Sequence, residues 1–96
     1  MIEKIEKFKE YMKQEKFFEA HEVLEEYWFP RRKEKSKDVL IIKGFINAAV
    51  SLELKKRGRI ENHYKIWAVY EKFAKLIKED DKVFIDLKEF VDGFIV

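Results

Sequence analysis

The 96-residue sequence contains no cysteine, one proline and three glycines. Because cysteine is absent, the chain can form neither a disulfide framework nor a thiolate metal site, and it offers no thiol nucleophile. The shortage of glycine and proline leaves few positions for the tight turns that a sheet built from hairpins requires. A small number of long helices is therefore the favoured architecture.

Long apolar runs and an excess of one charge are also missing. No unbroken apolar run approaches the roughly 18 residues that a membrane-spanning helix needs. The first ten residues include three glutamates and three lysines, so we expect no signal peptide and a cytoplasmic location. Lys and Arg (21) nearly balance Asp and Glu (19), and the net charge of +2 is too small to indicate a nucleic-acid or membrane partner.

Apolar side chains are plentiful in spite of the short chain. They make up 47% of the residues and aromatic side chains 16%, which is enough for one hydrophobic core, so we expect a single domain over residues 1–96. Charged residues account for 42% and are rich in Lys and Glu, a composition that resembles that of hyperthermophile proteins.

Apolar residues recur at helical spacing in successive segments of the chain. Gly58 is predicted to end the third helix in the left-handed conformation, and Asp86 with Glu89 to cap the fifth as an acidic capping box. The predicted fold is all-α, a compact antiparallel bundle of four main helices with a short C-terminal helix. The helices are predicted at 2–13, 17–29, about 38–57, 60–78 and about 86–94.

Two polar side chains of the second helix fall on or beside its apolar stripe. On a helical wheel, His21 lies between Trp28 and Phe18, and Glu25 follows one turn later. A carboxylate removed from water costs several kcal/mol unless it is paired and hydrogen-bonded. We therefore predict that His21 and Glu25 point inward, inside or at the edge of the buried stripe where water does not satisfy them, and that they satisfy each other.

Two further polar residues project toward apolar faces. Glu53 lies near the centre of the apolar arc of the third helix, where it can pair with the basic residues at 56 and 57 or face His21 and Glu25 across the helix interface. His63 projects toward the apolar side of the fourth helix, in a first turn from which it can also reach solvent.

One segment resembles a known family. The run 17–28, FFEAHEVLEEYW, is similar to the hallmark of a small prokaryotic family known as domain of unknown function 309, and 43–49 is similar to a second stretch of it. The resemblance implies an all-helical bundle and no known activity. It also implies that His21, Glu22 and Glu25 are the polar signature of the second helix. Lys43 and Asn47 stand where the family has glutamine, so Lys43 changes the charge of the implied pocket.

These residues define a candidate polar pocket or cluster. Its ligand types suit a carboxylate-rich divalent metal site with His21, Glu25 and Glu53 as ligands, although the paired Glu-x-x-His signature of bundle di-metal sites is missing. A satisfied structural cluster is the favoured interpretation, ahead of a metal site or a small-ligand pocket. The cluster comprises His21, Glu22, Glu25, Asn47 and Glu53.

Three functions remain open at this level. The favoured one is a binding or scaffold module rather than an enzyme, with a second copy of the chain or another protein as partner. The first alternative is a metal-dependent hydrolase in which Glu22 acts as base. The second is weak nucleic-acid binding, disfavoured because its two basic clusters fall at opposite ends of the third helix. Those clusters are Arg31, Arg32, Lys33, Lys35 and Lys37, and Lys55, Lys56, Arg57 and Arg59.

Overall fold

The computed structural model describes residues 1–95 and contains, over that range, five α-helices and one short 3-10 helix. The prediction of an all-α bundle with four main helices and a short C-terminal helix is confirmed. None of the helices in this range combines the length and apolar character needed to cross a lipid bilayer. The α-helices are α1 (Ile2–Lys13), α2 (Phe17–Trp28), α3 (Lys37–Lys56), α4 (Ile60–Ala74) and α5 (Lys82–Asp92), with the 3-10 helix at Phe29–Arg31.

The helices form two layers. In the first layer, α3 lies between α2 and α4 and packs against both. The second layer, α1 and α5, covers one side of the first. Phe45 of α3 marks the covered side, because its ring lies 5.6 Å from that of Tyr70 in α4 and 6.3 Å from that of Phe84 in α5. The core lies between the layers and includes Phe8, Met12, Leu24, Ile41, Ile42, Phe45, Tyr70, Leu87 and Val91.

Polar contacts tie α5 to the rest of the molecule. Lys9 Nζ lies 2.6 Å from Asp86 Oδ2, which joins α1 to α5. The Tyr70 hydroxyl donates to Asp92 Oδ1 at 2.8 Å, while Lys88 Nζ binds Asp92 Oδ2 at 2.6 Å. Burial, and this hydrogen bond to Asp92, raise the pKa of Tyr70, so its hydroxyl remains a donor.

Two predicted helix boundaries are wrong. Helix α4 ends at Ala74 rather than 78, although Leu76 and Ile77 remain partly buried and so continue the apolar pattern beyond the helix. Helix α5 begins at Lys82, which places Asp86 inside it. Asp86 therefore pairs with Lys9 instead of capping a helix, and the predicted capping box is wrong.

Gly58 follows the end of α3 with a φ of +81°, the left-handed conformation predicted for it. A Cβ at this position would meet no heavy atom within 4 Å, so there is space for a larger side chain. Only the positive φ would make such a substitution unfavourable.

Replacing Gly58 by alanine is expected to lower the free energy of unfolding by about 1 kcal/mol, because alanine disfavours positive φ. Urea denaturation measures the loss. Asparagine, which tolerates this conformation better, serves as the matched variant and should lose less. Equal stability of all three proteins would contradict the assigned backbone conformation.

Lys37, the first residue of α3, is joined to the segment that precedes α5. Its Nζ lies 2.7 Å from Asp81 Oδ2. The hydrogen bond from Lys37, with a second from the backbone N–H of Lys78, holds the pKa of Asp81 below its ordinary value of 3.8. The ionised form of Asp81 is therefore favoured by folding.

Lys37→Met is expected to lower the free energy of unfolding at neutral pH, and its difference from wild type should become smaller in acid. Asp81 has a lower pKa in the folded chain, so its contribution is present above 3.8 and is lost as the pH falls through the lowered value. The urea midpoints of the two proteins, compared across that range, give the result. Lys82→Met is the control, since Lys82 also begins a helix. A difference between Lys37→Met and wild type that does not change with pH would contradict the link to Asp81.

Candidate functional site

His21 and Glu25 form the predicted pair on α2. His21 Nε2 lies 2.9 Å from Glu25 Oε2, and His21 Nδ1 lies 2.9 Å from the carbonyl oxygen of Phe18. Each ring nitrogen therefore has an oxygen within hydrogen-bond distance, and the imidazole is held between the Phe18 carbonyl group and the Glu25 carboxylate.

The pair lies at the edge of the core. The side chain of His21 is 18% exposed and that of Glu25 is 41% exposed. Water reaches the carboxylate of Glu25, so the heavy desolvation cost expected for a fully buried carboxylate does not apply. The pair orients side chains at the protein surface and contributes little to the stability of the interior.

Glu53 takes the first of its two predicted alternatives. Its Oε2 accepts a hydrogen bond from Arg57 Nε at 2.9 Å, one turn along α3. Glu53 is thus paired within its own helix, as Glu25 is within α2.

The three candidate metal ligands are not brought together as a group. Within residues 1–95, no cluster of three or more His, Asp or Glu side chains is arranged to hold a metal ion. The physical reason is local pairing, because the carboxylates of Glu25 and Glu53 are each drawn to a basic side chain on their own helix.

The remaining members of the predicted cluster lie elsewhere. Asn47 donates from Nδ2 to the carbonyl oxygen of Lys43 at 2.9 Å, within α3. Glu22 is exposed and faces a separate groove of about 510 Å³ between α1 and α2. That groove is acidic, and its lining is Tyr11, Glu19, Glu22, Val23, Glu25, Glu26 and Phe29.

A second groove, of about 310 Å³, separates α2 from α3 and contains His21 and Glu53. Phe18 stands at its edge with 51% of the residue exposed, and its ring centroid lies 5.4 Å from that of His21. The imidazole therefore borders the exposed phenyl ring. We call this cavity the α2–α3 groove, and its lining is Phe17, Phe18, His21, Val50, Glu53, Leu54 and Arg57.

The side of α3 that carries Val50 and Leu54 extends beyond the groove toward the other end of the molecule. There Lys43 Nζ lies 5.7 Å from the ring centroid of Trp28 on α2 and 5.7 Å from that of Phe73 on α4. Residues 43, 50 and 54 share one helical face of α3, turned away from Phe45 and the second layer. This side is called the open face and is defined by Phe18, Trp28, Lys43, Val50, Leu54 and Phe73.

His63 is buried, with only 1% of the residue exposed, and does not take the position in solvent that its first-turn location also allowed. Ser51 Oγ donates its proton to the His63 carbonyl oxygen at 2.7 Å. The same oxygen lies 2.7 Å from His63 Nδ1, and because its only proton is already used, Ser51 Oγ accepts a hydrogen bond from the ring. Serine and histidine at this distance resemble a nucleophile and its base. Here, however, both are buried and the hydroxyl proton is directed to a carbonyl, so the pair joins α3 to α4.

Sequence reasoning did not find Ser51. The signal available was a hydroxyl on the inner side of α3, but nothing local connects it to a histidine twelve residues away in another helix.

Several members of the basic clusters contact neighbouring groups. Arg31 and Arg32 lie 4.0 and 3.9 Å from the ring centroids of Tyr27 and Phe29 and donate to the carbonyl oxygens of those same residues. At the other end of α3, Lys56 donates to the Glu15 carbonyl oxygen at 2.9 Å.

The layered helices and the α2–α3 groove define the class as a small, all-helical domain with a groove between its second and third helices. Residues 5–65 match the family described as Domain of unknown function (DUF309). The match covers more than half of the chain, and the chain belongs to this family, which confirms the resemblance noted in the sequence. No curated protein and no solved structure gave a match.

The matched region has a clear place in the fold. It contains nearly all of α1, all of α2 and α3, and the start of α4. Both sides of the α2–α3 groove therefore lie within the part of the chain that the family shares, whereas α5 lies outside it.

Proposed function

We propose that this domain is a protein-binding module whose binding surface is the open face. The observation that carries the proposal is the position of Phe18. Its large apolar side chain lies beside the α2–α3 groove and not in the core, and 51% of the residue is exposed. Aromatic side chains at the edge of an apolar cavity are typical anchors of protein interfaces.

The polar groups around the groove support binding rather than chemistry. His21 and Glu25 pair within α2, and Glu53 and Arg57 pair within α3. Each of these charges is already compensated, and both nitrogens of the imidazole are engaged. Such groups form a fixed polar rim, which orients a partner but offers no free base or nucleophile.

The shape of the face indicates the kind of partner. Val50 and Leu54 are partly buried and line the groove along α3, and the same face of the helix continues through Asn47 to Lys43. A groove with apolar residues at one end and polar residues at the other accepts the apolar side of a helix that also carries charged residues. The proposed partner segment is therefore an amphipathic helix.

Site-specific photo-cross-linking in living cells tests this function. A photoreactive phenylalanine derivative at position 18 is expected to give cross-linked protein species. The same derivative at Val83 is the control, because Val83 is 45% exposed but belongs to α5 in the second layer. Equal yields at the two positions, or none at either, would contradict the proposal.

A further inference from the structure

We infer that the partner is a second copy of this chain, packed open face to open face about a two-fold axis with the two α3 helices antiparallel. In this arrangement Lys43 of each copy contacts Glu53 of the other, and Phe18 of each copy lies on Trp28 of the other. The inference rests on the proposed function and names the occupant of the same surface.

The charge of Lys43 is the first support. This side chain is partly buried between two aromatic rings, and in the described range no carboxylate lies within 4.0 Å of its Nζ. Glu53 has the complementary property, since Arg57 binds Oε2 and leaves Oε1 able to accept another hydrogen bond. A lysine without a carboxylate therefore lies on the open face, and a carboxylate with spare capacity lies in the α2–α3 groove beside it.

The spacing along α3 makes these two groups complementary across a two-fold axis. The proposed two-fold axis is perpendicular to α3 and passes it midway between Asn47 and Val50. At a rise of about 1.5 Å per residue, Lys43 lies about 8 Å from this midpoint in one direction along the helix and Glu53 about 7 Å in the other. Rotation by half a turn brings Glu53 of the second copy to within about 2 Å of Lys43 along the helix axis. The long lysine side chain can cover the remaining lateral distance.

The aromatic residues of α2 follow the same symmetry. Because α2 runs antiparallel to α3, Phe18 lies beside Leu54 and Trp28 lies beside Lys43. The same rotation exchanges the two ends of α2, so the half-exposed Phe18 of one copy meets Trp28 of the other. One self-complementary patch thus matches both apolar and charged groups, as an isologous dimer interface requires.

Sedimentation equilibrium of the full chain tests the inference through a charge exchange. Wild type is expected to be a dimer, and Lys43→Glu or Glu53→Lys alone should weaken dimerisation about tenfold or more. The double variant Lys43→Glu/Glu53→Lys should restore the dimer to near wild-type affinity, because the ion pair is rebuilt with reversed polarity. Lys7→Glu is the control, since Lys7 is exposed on α1 and makes the same charge change off the open face.

Circular dichroism of each variant separates dissociation from unfolding. Should a single variant unfold, Phe18→Ser provides an independent test, since loss of an exposed ring weakens the dimer and spares the core. The inference is overturned if the wild type remains monomeric up to about 1 mM. It is also overturned if the double variant dimerises no more tightly than the single variants. If the wild type is monomeric but still cross-links specifically at position 18 in cells, the dimer is wrong and the proposed function stands. If the wild type is monomeric and no specific cross-link forms, both the dimer and the proposed function are wrong.

Discussion

Alanine in place of Gly44 is expected to lower the free energy of unfolding by about 1 to 2 kcal/mol. A Cβ at this position would lie 2.8 Å from Phe73 Cβ, which is fixed to the backbone of α4. Helices α3 and α4 would have to move apart, and overpacking of this kind typically costs about 1 to 3 kcal/mol. Alanine also favours the helix over glycine by roughly 0.5 to 1 kcal/mol, which offsets part of that cost.

The sign of the change is the decisive result for Gly44. In an open helix the same substitution would stabilise the protein, so a gain in stability would contradict the close approach of α3 and α4. Gly44→Val should lose more than Gly44→Ala, since valine adds further atoms at the same contact. Urea denaturation at one fixed protein concentration gives all three values, which keeps self-association from affecting the comparison.

Loss of the Ser51 hydroxyl is expected to cost about 1 to 3 kcal/mol. Ser51→Ala removes the partner that lies 2.7 Å from His63 Nδ1 and leaves that buried donor with only the Ser51 carbonyl oxygen, at 3.0 Å. Both residues are almost fully buried, so water cannot replace the lost hydrogen bond. The effect therefore reflects the connection between α3 and α4.

A double-mutant cycle isolates that connection. Unfolding free energies of Ser51→Ala, His63→Phe and the double variant should give a coupling of about 1 kcal/mol or more. A matched cycle on His21 and Glu25 should give less, since the Glu25 carboxylate is 41% exposed. A Ser51–His63 coupling near zero would mean that the two side chains do not depend on each other.

Interactions within one helix were predictable from the sequence. His21 and Glu25 lie one turn apart on α2, so spacing alone fixed which groups could meet, and their contact distance of 2.9 Å agrees. The pairing of Glu53 with Arg57 was one of two alternatives for the same reason. The helical period likewise predicted the bounds of α1, and the tolerance of glycine for positive φ predicted Gly58 after the end of α3.

Interactions between distant parts of the chain were not predictable. Asp86 followed by Glu89 has the pattern of a helix cap, but Lys9, 77 residues away, binds Asp86 in the interior of α5. The buried position of His63 depends on Ser51 in another helix. Helix α4 stops at Ala74 although its apolar period continues, and the contact between Asp81 and Lys37 that holds the following segment joins residues 44 apart in the sequence.

Photo-cross-linking of the purified chain at position 18 tests directly whether the open faces of two copies meet. Covalent dimers are expected in which the adduct lies near Trp28 or Lys43 of the second copy, while the derivative at Val83 is expected to give none. Cross-links at position 18 only within its own chain, or adducts on α1 or α5 of a second copy, would contradict the proposed dimer.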